Sequence, residues 1–557
     1  MHKLIADIKK YLEKNELVKN LLFFILLSLP ILILCLPYIS RPHTIMLFDW
    51  DYFSQMYEAS RISILKFHQF PLFNPWVAGG VPLYANPQFG LFSIQSLLTL
   101  IFGTVYGLKL SICSYFFFGF WGTYLLLRYN RSEKLRAALL GYIFISGGYG
   151  IYHITGGHLT FAEFFLAPLT ILGFQRLIKE GKWLAFTLIM ALSIQSFTHY
   201  SVMQLMILLV VLVVLTILFL PYDISRKKTT LLFLNSLALL LILSLPRLYL
   251  AVQYLKSYPR IGNDHFMVSL KTIILSFIIP PSAGYHIMPR GLHYSWGEYS
   301  AYCGILFLIA LGVILLIAYS NKKLISKEVV AITAIAVVSL SLALGDFSKI
   351  SPFHILLKLP GYSSMIAPAR WLGWVFLSMI IIVGIIKLNK NQNRIVCIIL
   401  FLSIVEISTF NFSYLKFMNP NIPIINTDGN NSFEQYDDLS AKSTMRYFDE
   451  TRKNVGEIRG YEAILSYDLF RPTDRCGINN GCGIIISNNA NLIYWSPNKI
   501  NLLRTGAGDI EVNINPGSYW LVNNKRVFRD MRVVELTRRF IISDQSEKIE
   551  LLISPTF

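Results

Sequence analysis

The chain has 557 residues, 54% of them hydrophobic and only 15% charged, with a mean hydropathy of +0.52. Its apolar residues recur in blocks near bilayer-spanning length, which excludes an ordinary soluble domain and places the chain among membrane proteins. The formal net charge of +18 does not mark a nucleic-acid binder, because lysines and arginines stand in short clusters between apolar blocks. That pattern is a topology signal.

The first apolar block, Leu21 to Ile39, follows a stretch carrying Lys3, Lys9, Lys10, Lys14 and Lys19, and no small-residue cleavage site follows it. It reads as a retained anchor preceded by a cytoplasmic segment, residues 1–20. Blocks of about 17 to 25 apolar residues then centre near residues 30, 116, 145, 168, 190, 211, 239, 309, 336, 379 and 404, which predicts about eleven spans. With the N-terminus inside, every short inside loop is basic: Arg128 to Arg136, Arg176 to Lys182, Arg226 to Lys228, Lys322 to Lys327 and Lys387 to Arg394. The turns at Thr155 to His158 and Phe197 to Ser201 carry no lysine or arginine, as the positive-inside rule requires of outer turns.

This parity puts three long segments outside the cytoplasm: 40–99, 253–300 and everything from about residue 413. The transmembrane region is thus 21–412 and the outer C-terminal region 413–557. The latter turns polar. Asp509 to Asn515 alternates at period two, Lys548 to Ser554 does so in part, and turn signals stand at Pro516-Gly517 and Asn523-Asn524, so a small β-rich domain is expected. Cys476 and Cys482 lie in that polar segment and are expected to close a small disulfide loop on the oxidising side. The other four cysteines sit in apolar blocks as small hydrophobes.

The first outer loop carries the densest chemistry. Asp49 and Asp51 lie just beyond the first span, and a helix beginning there aligns Asp51, Gln55 and Glu58 on one face at i, i+4 and i+7. A carboxylate at the membrane surface accepts a proton from a hydroxyl or helps to hold a divalent cation; the plainer alternative is that Asp49 or Asp51 caps the helix. Nine of the ten histidines, His158 among them, fall in outer segments or at outer span ends, with Arg247, Arg260, Arg290, Glu298 and Arg370. A transporter concentrates ionisable residues near the midplane, where only Glu406 is expected. His158 has a bland reading as turn punctuation, His153 and His199 as structural histidines, and Arg260 and Arg370 as headgroup anchors.

The stretch from Asp51 and Gln55 through PLFNPWVAGGVPLYANPQFG (Pro71 to Gly90) resembles the opening loop of YfhO-type bacterial membrane proteins, which are similar to the GT-C superfamily of glycosyltransferases. Further segments agree in order: LSLPRLYLAVQYLKSYPR ending at Arg260, LPGYSSMIAPAR ending at Arg370, and IRGYEAILSYDLFR ending at Arg471. Ile366 stands where the resemblance leads one to expect a further arginine. The resemblance implies a GT-C-like membrane domain in a bacterial inner membrane, a polyprenyl-phosphate sugar donor, and transfer to an envelope glycan or lipid acceptor outside the cytoplasm. It implies Asp51 as catalytic or metal-contacting carboxylate with Asp49 beside it, Mg or Mn as the ion if one is used, and Arg260 and Arg370 at the donor phosphate. Gln55, Glu58 and His158 complete the expected substrate-binding set. The sequence contains neither a P-loop nor a strand-linked GxGxxG for a nucleotide sugar. A flippase of lipid-linked glycans and a non-catalytic envelope scaffold stand as competing readings.

Overall fold

The structure, a computed structural model, describes residues 16–196, 199–219, 226–257, 266–280, 294–359, 362–363, 365, 367–418, 434–436, 446–457, 485, 487–514, 520–526, 540–542, 544 and 546–554. Arg260, Cys476, Cys482, Pro516-Gly517 and the Ile458 to Arg471 stretch lie outside these residues. All eleven predicted centres fall in helices. Seven helices among the described residues are long and apolar enough to cross a membrane: Leu21–Ile39, Thr104–Tyr129, Lys134–Thr155, Leu159–Glu180, Lys228–Lys256, Pro368–Ile385 and Lys390–Lys416.

The remaining centres lie in Trp183–Ser196, His199–Phe219, Ile305–Ser320 and Lys327–Ala343. Three of these have 14, 16 and 17 residues, and at 1.5 Å per residue they reach only about 21–26 Å against a hydrocarbon core of about 30 Å. By length and apolar composition together, seven helices among the described residues qualify as spans where eleven were expected. The chain is a polytopic helical membrane protein with a β-sheet region at its C-terminal end.

Burial separates central from peripheral helices. The most apolar window of Lys134–Thr155 is 94% buried, whereas those of Leu21–Ile39 and Lys228–Lys256 are 22% buried. The peripheral pair exposes Leu26, Leu32, Ile33, Leu231, Ile242 and Leu245, an apolar surface that is stable against lipid and an aggregation hazard in water. Glu406, the one ionisable residue expected deep in the bundle, serves the fold. It accepts the Tyr302 hydroxyl (2.8 Å) and the backbone N–H groups of Ile305 (2.8 Å) and Leu306 (3.1 Å), and thereby satisfies orphan donors at the start of Ile305–Ser320.

At one end of the bundle, here called the head, the first loop folds inward. Helix Trp50–Leu65 begins where the sequence predicts it and buries all of its first eleven residues. Phe73–Asn74 and Val81–Pro82 then form a short antiparallel pair. Arg247, fully buried in the second half of helix Arg226–Ser257, donates to the carbonyl oxygens of Tyr84, Asn86 and Phe89.

The C-terminal region packs on this loop. Its largest sheet is antiparallel, in the order Ala490–Ser496, Lys499–Arg504, Lys548–Ile553, Trp520–Val522, Lys525–Arg526. Asn523 and Asn524 join the last two of these strands with φ of 46° and 63°, the conformation of a tight hairpin turn that asparagine tolerates. Gln69 donates to Ser496 Oγ (2.9 Å), Asn498 to the Phe70 carbonyl (2.6 Å) and the Trp76 indole to Asn454 Oδ1 (3.0 Å). The Phe73 ring meets Trp520 edge-on at 5.3 Å.

Arg247→Met keeps the apolar stem but takes the donor from the Tyr84 and Phe89 carbonyls, while the Asn86 carbonyl keeps the Phe89 N–H (3.1 Å). A loss of about 3 kcal/mol or more is expected from unsatisfied buried acceptors. It should appear as a lower thermal midpoint in detergent; an unchanged midpoint would mean that other donors hold the loop.

Candidate functional site

Four separate stretches of chain meet at the head: the start of Trp50–Leu65, the turn at residues 156–158, helix Trp296–Tyr299 and the 3-10 turn Pro368–Trp371. The first two are locked by a glycine. Gly157 has φ of +96°, and a Cβ there would meet the Trp50 nitrogen at 2.5 Å and Asp49 backbone carbon atoms at 2.6 Å. Only glycine permits both that conformation and that approach. The Asp49 N–H donates to the Gly156 carbonyl (3.4 Å) and the Trp50 indole to the Ile154 carbonyl (2.9 Å). The sequence ITGGHLTF therefore does more than turn the chain, because it delivers His158 to Asp49.

His158 Nε2 lies 3.4 Å from Asp49 Oδ2 and 3.5 Å from Glu298 Oε1. On its other edge, His158 Nδ1 is 3.1 Å from Nδ1 of His153, which is buried under a stacked Phe161 ring at 4.2 Å. Arg370 grips Glu298 with two hydrogen bonds, Nε to Oε2 (2.9 Å) and Nη2 to Oε1 (2.8 Å), and its guanidinium sits 5.1 Å from the centre of the Phe161 ring. The Tyr149 hydroxyl donates to the Arg370 carbonyl (2.8 Å). Burial pushes the Glu298 carboxyl up, but the Arg370 charge, then His158 and the Arg370 hydrogen bonds outweigh it, and the group is held well below the usual carboxylate range.

The two first-loop aspartates divide their work. Asp49 occupies the N-cap position of Trp50–Leu65 yet makes no side-chain cap hydrogen bond; it faces His158, and its side chain is 29% exposed. Asp51 is buried and accepts the backbone N–H groups of Tyr447 (2.9 Å) and Phe448 (3.0 Å). It satisfies donors at the start of helix Arg446–Arg452 and ties the C-terminal region to the first loop. Gln55 exchanges two hydrogen bonds with Asn74 (3.0 and 2.9 Å). Glu58 accepts the Thr104 hydroxyl and lies 3.7 Å from Arg61. The structure thus brings together Asp49, His158 and Arg370 from the predicted set, while Asp51, Gln55 and Glu58 hold packing partners. Arg260 lies outside the described residues.

Glu298 and His153 join the site without having been assigned to it from sequence. Glu298 was visible only as one of several charged residues in an outer segment, and His153 as a structural histidine. Glu163, buried in Leu159–Leu166, was not singled out at all, since it stands alone within an apolar run. One ligand atom each from His153, His158 and Glu298 lies within 4.8 Å of the others, close enough to hold a metal ion.

No known family's sequence profile matches the chain, and no curated protein matches it.

The Glu298 carboxyl, depressed in the folded state, contributes stability that is complete above the ordinary carboxylate value of about 4 and is lost as pH falls towards its folded value. Arg370→Gln takes from the buried Glu298 carboxylate its largest stabilising partner, leaving only the nearby histidines, and should cost about 3 kcal/mol at pH 7. The gap to wild type should narrow as pH drops below about 5. Equal thermal midpoints at pH 7 would contradict the pairing.

Proposed function

We propose that the protein is a membrane glycosyltransferase of GT-C-like architecture, moving a sugar from a polyprenyl-phosphate carrier to an envelope glycan or lipid acceptor. What supports this reading above all is the convergence of Asp49, His158, Glu298 and Arg370 at the head, with acid, base and cation within hydrogen-bonding or ion-pair reach of one another. On this reading the head faces away from the cytoplasm of a bacterial inner membrane, where a lipid-borne donor replaces nucleotide sugars.

Asp49 is the general base. It takes the proton of the acceptor hydroxyl as that oxygen bonds to the anomeric carbon, while the bond from that carbon to the carrier phosphate breaks and the phosphate leaves with the electron pair. Attack opposite the leaving group inverts the anomeric centre. His158 holds Asp49 in place, and Arg370, shared with Glu298, offers positive charge to the departing phosphate. An apolar cleft of about 720 Å³ lined by Phe70, Phe92, Leu97 and Leu100, with His68 and Gln69 at its polar edge, is a fit for the carrier's hydrocarbon chain.

A second reading, a flippase of lipid-linked glycans, is favoured by Glu163, a carboxylate buried within the candidate span Leu159–Glu180. Sugar transfer separates the two. Asp49→Asn should lower incorporation of sugar from a polyprenyl-linked donor by about 100-fold with normal expression and stability. Asp51→Asn should chiefly loosen the C-terminal region, read by limited proteolysis. Full transfer by a well-folded Asp49→Asn protein would remove the base assignment, and a well-folded wild type that transfers no sugar would favour the flippase.

A further inference from the structure

We infer that His153, His158 and Glu298 form a binding site for one borderline divalent transition-metal ion, with Zn²⁺ as the reference case. The inference goes beyond the transfer reading and does not depend on it. A tetrahedral ion with bonds of about 2.0–2.2 Å holds neighbouring ligand atoms about 3.3–3.5 Å apart. The two Nδ1 atoms of His153 and His158 already stand 3.1 Å apart, and one ligand atom each from His153, His158 and Glu298 lies within 4.8 Å of the others.

His153 supplies the second observation. It is 2% exposed, and its Nε2 has no hydrogen-bond partner among the described residues. A proton placed on Nε2 leaves the Nδ1 lone pair directed at the cluster, the form in which histidine ligates metal. The ring is fixed from both sides, stacked on Phe161 at 4.2 Å and met edge-on by Tyr149 at 4.9 Å.

The surrounding groups suit a dication. Arg370 engages each oxygen of Glu298 once, and a carboxylate oxygen has a second lone pair to give. Asp49 and Glu298 against Arg370, with neutral imidazoles, leave one net negative charge. Asp49, 3.4 Å from His158 Nε2, orients that ring as carboxylates commonly do beside metal-bound histidines. Two imidazole nitrogens and one carboxylate favour Zn²⁺, Fe²⁺ or Ni²⁺ over the all-oxygen cations Mg²⁺ and Ca²⁺. The expected Asp49/Asp51 pair is drawn apart, with Asp51 turned to the N–H groups of Tyr447 and Phe448 and Asp49 facing His158.

The test uses the full chain purified in detergent and stripped with a chelator, titrated with Zn²⁺ alone and again in excess Mg²⁺, with bound metal counted by mass spectrometry. One Zn²⁺ per chain, undisturbed by Mg²⁺, is expected, and His158→Ala and Glu298→Gln should each weaken it roughly tenfold or more. X-ray absorption of the zinc-loaded wild type should show two imidazoles and no sulfur, which keeps the test decisive if a variant fails to fold. Unsaturable binding, displacement by Mg²⁺, sulfur ligation, or unchanged affinity in folded variants would overturn the site.

Discussion

Everything at the head rests on how the first loop satisfies its buried polar groups. A loop folded into the end of an apolar bundle cannot leave its carbonyls to water. Arg247 solves this from within the membrane region by donating to Tyr84, Asn86 and Phe89, and the paired amides of Gln55 and Asn74 solve it inside the loop. From above, Gln69, Trp76 and Asp51 bind the C-terminal region. A loop pinned from both sides is rigid enough to present Asp49 at a fixed place.

The same economy governs charge. Glu298 and Arg370 could not sit so little exposed as isolated ions; as a two-hydrogen-bond pair they can, and the pair then sets the field that His158 feels. The close approach at Gly157 brings Asp49 into that field. Asp51, only two residues away, lies about 200° round the same helix and is taken up by Tyr447 and Phe448. One carboxylate builds the platform and its neighbour faces the open side.

Much of this was legible in the sequence. Apolar block length placed all eleven predicted centres within helices, and the Asn523-Asn524 turn and the alternation of Lys548–Ile553 located parts of the sheet, because these signals are local. The convergence of Glu298, Arg370 and His158 was not legible, since residues 140 and 212 positions from His158 are joined to it only by the packing of helices. The order of Asp51 before Asp49 came from the resemblance. Spacing correctly placed Asp51, Gln55 and Glu58 on one helix face, but spacing does not say that this face turns into the protein.

If the Asp49–His158–Glu298–Arg370 cluster is where a lipid-borne phosphate is handled, a structure of the full chain with a non-transferable polyprenyl-phosphonate sugar must show it. The phosphonate is expected beside Arg370, with the sugar's anomeric carbon facing Asp49. A phosphonate seated elsewhere, with the cluster unchanged and covered, would contradict that assignment.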